Sequence, residues 1–157
     1  MKSRAINFVA AAATATVLAI GAALAHGGAT GIVKERMDGM EAMGKALSSV
    51  ADMFKGITSY NAAEVVNSAE IVGLHAREMK ILFPDTPESR ESLVSDAMPA
   101  IWQDLEDFLS LAERLEFATI QMKTVAQTGS QQDVRAAFAQ VAKTCSACHR
   151  DYRRPQN

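Results

Sequence analysis

The sequence predicts an all-α protein, an antiparallel four-helix bundle, and three observations carry that prediction. Apolar and small residues recur at alternating spacings of four and three along four long stretches, which is the repeat of one helix face. Short connections join the stretches, and no stretch shows the period-two alternation of a half-buried strand. The chain has 157 residues, enough for one domain with one core, and no repeat array, low-complexity tract or second domain interrupts it.

The first stripe runs from about Gly31 to Phe54 as Val33, Met37, Met40, Gly44, Leu47, Ala51 and Phe54. The second is Val65, Ala69, Val72, Ala76, Met79 and Phe83, and "FPDTPES" then breaks the pattern. A third helix opens near Pro99, a residue suited to a first turn. Its stripe is Ile101, Leu105, Phe108, Ala112, Leu115, Thr119 and Met122, and it ends at Gly129. Ser130 then stands as an N-cap, with Asp133 three residues on in a capping-box position. The fourth stripe is Val134, Phe138, Val141, Cys145, Cys148 and Tyr152. Both cysteines therefore fall on core-facing helical positions rather than in a loop.

The N-terminus reads as a secretory signal. Lys2 and Arg4 precede the apolar run "AINFVAAAATATVLAIGAALA", which closes on Ala23-Leu24-Ala25, an A-x-A cleavage pattern. The run comes close to membrane-spanning length. Its small residues, its A-x-A end and the following "HGGATG" point instead to removal of residues 1–25. A mature domain of residues 26–157, beginning at His26, is then expected in the periplasm without stable membrane insertion. Losing Lys2 and Arg4 leaves fourteen basic residues against eighteen acidic ones, moving the formal charge from −2 to −4. A nucleic-acid partner would want a basic face and is not expected. The acidic balance suits a partner with a basic docking patch.

The chemistry concentrates in "TCSACHRDYRR", Thr144 to Arg154. Three readings compete for the two cysteines and the histidine. Zinc needs about four protein ligands; besides Cys145, Cys148 and His149 the chain offers only the distant His26 and His75. A redox dithiol wants C-x-x-C at the start of a helix after a strand, where the helix dipole lowers the first thiol's pKa; here the motif lies near the end of a helix. Covalent haem fits every feature, because C-x-x-C-H is the attachment pattern of c-type haem. Cysteines at i and i+3 share a helix face and reach the two vinyl groups of one porphyrin edge as thioethers. His149, four residues after Cys145, projects toward the iron as an axial ligand. One covalently bound haem c is the expected cofactor, and export agrees with it.

With these motifs the chain resembles the cytochrome c′ family, the class II c-type cytochromes. "CSACHRDYRR" is similar to that family's haem motif followed by an aromatic residue and Arg. "VKERMDGMEAMG" resembles its first-helix motif around an Arg, and "MPAIWQD" the opening of its third helix. The resemblance spans the mature chain and implies a haem lying between the first and last helices. It implies two functional branches. A bulky apolar residue four after the first-helix Arg leaves five-coordinate iron that binds nitric oxide or carbon monoxide; a Met on that helix ligates the iron in the low-spin cytochrome c-556 type. Four residues after Arg36 comes Met40. The resemblance thus implies a periplasmic electron-transfer protein, not an enzyme, with His149 and Met40 on the iron. Met37 and Met43 are alternative thioethers on the same helix, and Met is also a common core filler.

Arg36 and Arg153 each match an Arg of the family and suit a haem propionate, since guanidinium meets carboxylate bidentately; solvated surface charge is the bland reading. Trp102, the only Trp, resembles the family's aromatic packing near the haem edge. Tyr152 reads as packing. His75 lies beside the second stripe, where bis-His ligation has no support from the resemblance. His26, as an N-terminal amine with an imidazole, is a copper chelator only if a second histidine joins it. Unidentified redox proteins are the expected partners. Dimers occur in the family through the first two helices, so a homodimer is an assembly the resemblance allows.

Overall fold

The structure is a computed structural model that describes residues 28–155. The expected leader, its cleavage point after Ala25 and His26 all lie outside the described residues.

Among the described residues four long helices form the bundle, with two single-turn helices between the second and third. Helix α1 spans Gly31–Phe54 and stops at Lys55, followed by Gly56 at φ 75°, the left-handed conformation that ends many helices. Asn61 opens α2, Ala62–Leu82, by accepting hydrogen bonds from Ala63 N and Glu64 N. Thr86 and Pro87 start the single turn α3, Pro87–Arg90. Pro99 precedes α4, Ala100–Gln103, and Asp104 separates it from α5, Leu105–Thr128. Gly129 ends α5, and the expected capping box at Ser130 and Asp133 opens α6, Gln131–Tyr152. A cap of this kind contributes about 1 kcal/mol.

Two local expectations need correction. The third helix is not continuous from Pro99: Asp104 leaves the helical conformation at φ −138°, ψ 62°, and its carboxylate caps α5 at Asp107 N. The connection from α2 to α4 is also long, because "FPDTPES" is followed by a non-helical segment through residues 91–99 that turns at Leu93 and Val94. That segment runs beside the end of α6. Met98 N donates to Tyr152 O at 3.0 Å and Arg154 N to Asp96 O at 2.8 Å, with an isolated antiparallel bridge between Ala97 and Arg153.

α1 packs on α2, α2 on α5, and α5 on α6. The second stripe is buried from Val65 through Phe83 as expected, and so are Ile101, Phe108, Ala112, Leu115, Thr119 and Met122 of the third. The first stripe is displaced by one residue. The buried side of α1 is Val33, Arg36, Gly39, Met43, Ala46, Val50 and Met53, while Met37, Met40 and Leu47 are only half-buried and Gly44 is exposed. The reason lies in what α1 faces. Its inner side meets α2 closely enough that a Cβ on Gly39 would stand 3.1 Å from His75 Nδ1. Its Met37–Met40–Gly44–Leu47 side faces α6 and has little to pack on.

α1 and α6 come together at one end only. There the Phe54 and Phe138 rings meet edge to face at 5.4 Å, and Arg135 Nη2 donates to Phe54 O at 2.9 Å. Toward the other end the two helices diverge, and a cleft opens between them.

Candidate cofactor site

The cleft has a volume of about 690 Å³, within the ~300–1,000 Å³ usual for a small-molecule or cofactor site. One wall is α6, with Cys145, Cys148, His149 and Arg153. The facing wall is α1, with Met37, Met40, Met43, Gly44 and Leu47. Ile101, Phe108, Leu111, Ala112 and Leu115 make an apolar floor from α4 and α5. Val94, Ser95, Asp96 and Ala97 close one side. A Cβ built on Gly44 meets nothing within 4 Å, so this position leaves the α1 wall open.

The helix geometry places Cys145 and Cys148 on one face of α6, both unpaired and half-buried. Burial raises the Cys145 pKa, and burial with the nearby Cys145, Asp151 and Asp107 pushes Cys148 up to about 11. At neutral pH both are protonated thiols, the reverse of the lowered thiol that a dithiol oxidoreductase needs. Among the described residues no group of three or more His, Cys, Asp or Glu side chains converges to hold a metal, so the zinc reading has no donor set. His149 stands exposed at the rim. Desolvation, and then the Arg153 guanidinium, hold its pKa below the ordinary value, which favours the neutral ring with a lone pair available to a metal.

Arg36 is 4% exposed and lines the cleft from α1. Nη1 donates to Ser89 Oγ at 2.9 Å and Nη2 to Ser89 O at 3.0 Å, while Nε has no hydrogen-bond partner. The guanidinium lies 4.7 Å from the Phe83 ring centre and 5.8 Å from that of Trp102. A buried cation with an unused donor, held beside a cleft, is a site for an anionic group. Arg153 sits across the cleft from it, half-buried, with Nη2 3.7 Å from Asp96 Oδ2.

Not every expected residue reaches the cleft. Trp102 is absent from its walls; the indole donates to Pro84 O at 3.1 Å and its ring supports Arg36. His75 faces a separate, water-sized cavity between α1 and α2, with its Nδ1 2.6 Å from Glu78 Oε2. Met40 lines both this small cavity and the cleft. Two contributors escaped the sequence reading. Ser89 orients Arg36 from 53 residues away, and the 94–97 segment closes the cleft. The Thr86-Pro87 helix start was the only local sign of order there.

The cleft, its paired thiols, the adjacent imidazole and the buried guanidinium fit one covalently held, carboxylate-bearing metal macrocycle. A family profile described as Cytochrome C' matches residues 31–153. The chain belongs to the cytochrome c′ family. Its C-x-x-C pair near the C-terminus, Cys145 and Cys148, is consistent with one covalent haem c, and the family comprises non-enzymatic haem proteins. Curated relatives carry both the c′ and the c-556 names. Cytochrome c-556 of Agrobacterium tumefaciens (strain B2A) is 32% identical over 124 residues, 78% of this chain and 97% of the relative. The solved cytochrome c′ from Rhodopseudomonas palustris superposes with a TM-score of 0.75 at 25% identity, over 82% of this chain and 100% of that one. A nitric oxide complex of a mutant cytochrome c′ from Alcaligenes xylosoxidans gives 0.68 at 26% identity, over 79% and 94% of the two chains. Another cytochrome c′ shows ligand-controlled dimer dissociation, so some members of the family dimerise.

Proposed function

We propose that this cytochrome c′ family protein is a periplasmic electron carrier whose iron is held low-spin by His149 and Met40. The observation that carries this reading is that α6 and α1 direct Cys145, Cys148, His149 and Met40 to the same cleft. Haem c, when bound, supplies an iron that gains and loses one electron at a time. Cys145 and Cys148 would hold it as thioethers, and His149 would offer a ring nitrogen to the iron. Met40 would offer its thioether to the iron, a ligand that raises the reduction potential and favours electron transfer. Phe108, Leu111, Ala112 and Leu115 exclude water from the cleft floor. Arg36 and Arg153 take the propionate carboxylates, Arg36 with its unused Nε, and Trp102 holds Arg36 in place. Residues 1–25 direct export, and among the described residues no helix is long and apolar enough to cross a membrane. A homodimer through α1 and α2 is compatible with this role.

A second reading rests on the double position of Met40. Met40 also borders the water-sized cavity beside His75, and in this reading its thioether packs on that side instead of reaching the iron. The protein would then bind nitric oxide or carbon monoxide at a five-coordinate iron.

Absorption spectra of the exported holoprotein separate the two. The carrier reading expects sharp, split ferrous bands, a weak far-red sulfur-to-iron band in the ferric form, and little response to carbon monoxide. Met40→Ala should abolish the far-red band. Broad high-spin spectra that shift at once with carbon monoxide would assign the protein to gas binding.

A further inference from the structure

The C-terminal segment, α6 together with the residues that follow it, has the opposite charge from residues 28–130. Between Gln131 and Pro155, Arg135, Lys143, Arg150, Arg153 and Arg154 stand against Asp133 and Asp151, a balance of +3. Residues 28–130 carry nine basic and sixteen acidic side chains, a balance of −7.

The separation is finer than this count. At 3.6 residues per turn, Lys143 and Arg150 fall one above the other on the outward side of α6. Arg135 lies on the flank turned toward α1, where its guanidinium sits 4.7 Å from the Phe54 ring centre, and Arg153 lines the cleft on that flank. Asp133 and Asp151 share the opposite flank, five turns apart. Asp133 is engaged in the Ser130 cap, and Asp151 pairs with Arg150 at 2.7 Å. An exposed pair of that kind is weak and screened, so the excess of positive charge survives it. The α1 wall offers no net competing sign: Lys34–Asp38, Glu41–Lys45 and Asp52–Lys55 pair along it, and Glu35 and Arg36 balance one another in count. Arg153 is offset by Asp96 at 3.7 Å, so the basic excess of the α6 side rests on Arg135, Lys143, Arg150 and Arg154.

That side is also the covalent route to the redox group, since Cys145 and Cys148 are part of α6. We propose that the outward and α1-facing side of α6, centred on Lys143 and Arg150, is the docking face for a redox protein with an acidic surface patch. The inference rests on the haem reading of the cleft. It reverses the expectation drawn from overall composition, because a partner meets the local field of the face it approaches rather than the net charge. The complex is of the small, transient kind that suits electron transfer.

Two small oxidants of opposite charge test the sign of the field. The reduced holoprotein passes one electron from ferrous iron either to hexacyanoferrate(III), which becomes hexacyanoferrate(II), or to tris(phenanthroline)cobalt(III), which becomes the cobalt(II) complex. Stopped-flow rates are followed against ionic strength. The basic face predicts that the hexacyanoferrate rate falls as salt is added and the cobalt rate rises. Lys143→Glu with Arg150→Glu should cut the low-salt hexacyanoferrate rate roughly tenfold. Lys80→Glu with Lys123→Glu makes the same change in net charge on the α2–α5 side and should change that rate far less. Where Arg150→Glu disturbs haem attachment, Lys143→Glu with Ala139→Glu keeps the test.

A hexacyanoferrate rate that rises with salt, or equal effects of the two charge-reversed pairs, overturns the docking face while leaving the haem carrier intact. Loss of a dimer in the Lys143/Arg150 variant, without loss of salt dependence, assigns the face to a second copy and overturns the proposal too. A colourless protein overturns the haem reading itself, and the docking face with it.

Discussion

Arg36 on α1 and Ser89 on α3 are joined twice: the two terminal nitrogens of the guanidinium donate to the hydroxyl and the carbonyl of one residue, at 2.9 and 3.0 Å. This fork fixes the only strongly buried cation of the described residues at the edge of the cleft. Phe83 and Trp102 cover it, and its Nε remains available.

The two halves of that contact differ in weight. Ser89→Ala removes one acceptor and leaves the carbonyl, so unfolding of the holoprotein in urea should show a loss of about 1 kcal/mol. Arg36→Ala also removes the aromatic stacking and leaves Ser89 O unpaired, with an expected loss on the order of 3 kcal/mol. A Ser89→Ala loss as large as that of Arg36→Ala would contradict the arrangement.

Two glycines should respond in opposite ways to the same methyl group. At Gly44 a Cβ meets no protein atom within 4 Å, so in the haem-free protein Gly44→Ala gains about 1 kcal/mol of helix propensity. At Gly73 the Cβ would lie 2.9 Å from Thr119 Oγ1, on a buried residue whose hydroxyl is engaged by Glu116 O. Overpacking of roughly 1–3 kcal/mol there outweighs the same propensity gain. Thermal melts of the two variants without haem should move apart, upward for Gly44→Ala and downward for Gly73→Ala.

Tyr152 Oη donates to Asp107 Oδ2 at 2.9 Å and ties the last turn of α6 to the first turn of α5. Burial first, then the Asp107 contact, push the phenol up to about 12. A phenol raised above its unfolded value of about 10 contributes stability that is fully present below that pH and lost as pH rises toward the folded value. The advantage of wild type over Tyr152→Phe, read as a difference in urea midpoint, should hold at neutral pH and shrink through that alkaline window.

Asp133 provides the acid counterpart. Its hydrogen bonds with the Ser130 side chain and backbone lower its pKa. A lowered carboxylate contributes stability above the unfolded value of about 3.9 and loses it as pH falls through the folded one. Wild type should therefore exceed Asp133→Asn in melting temperature at neutral pH, and the gap should close in acid.

What the sequence determined by itself was local. The four long helices, the Gly129–Ser130 boundary with its capping box, and the placement of Cys145, Cys148 and His149 on one helix follow from spacings and caps within a few residues of each other. The tertiary structure decided what depends on neighbours distant in the chain. A helix stripe has a period, but its orientation is set by the surfaces around it, so α1 turned Gly39 to His75 of α2, buried Arg36 against Ser89, Phe83 and Trp102, and left Met40 and Gly44 to the cleft. Ser89 reached Arg36, Trp102 became the support of that arginine, and His75 turned to its own cavity, because each position is fixed by packing across helices rather than along one.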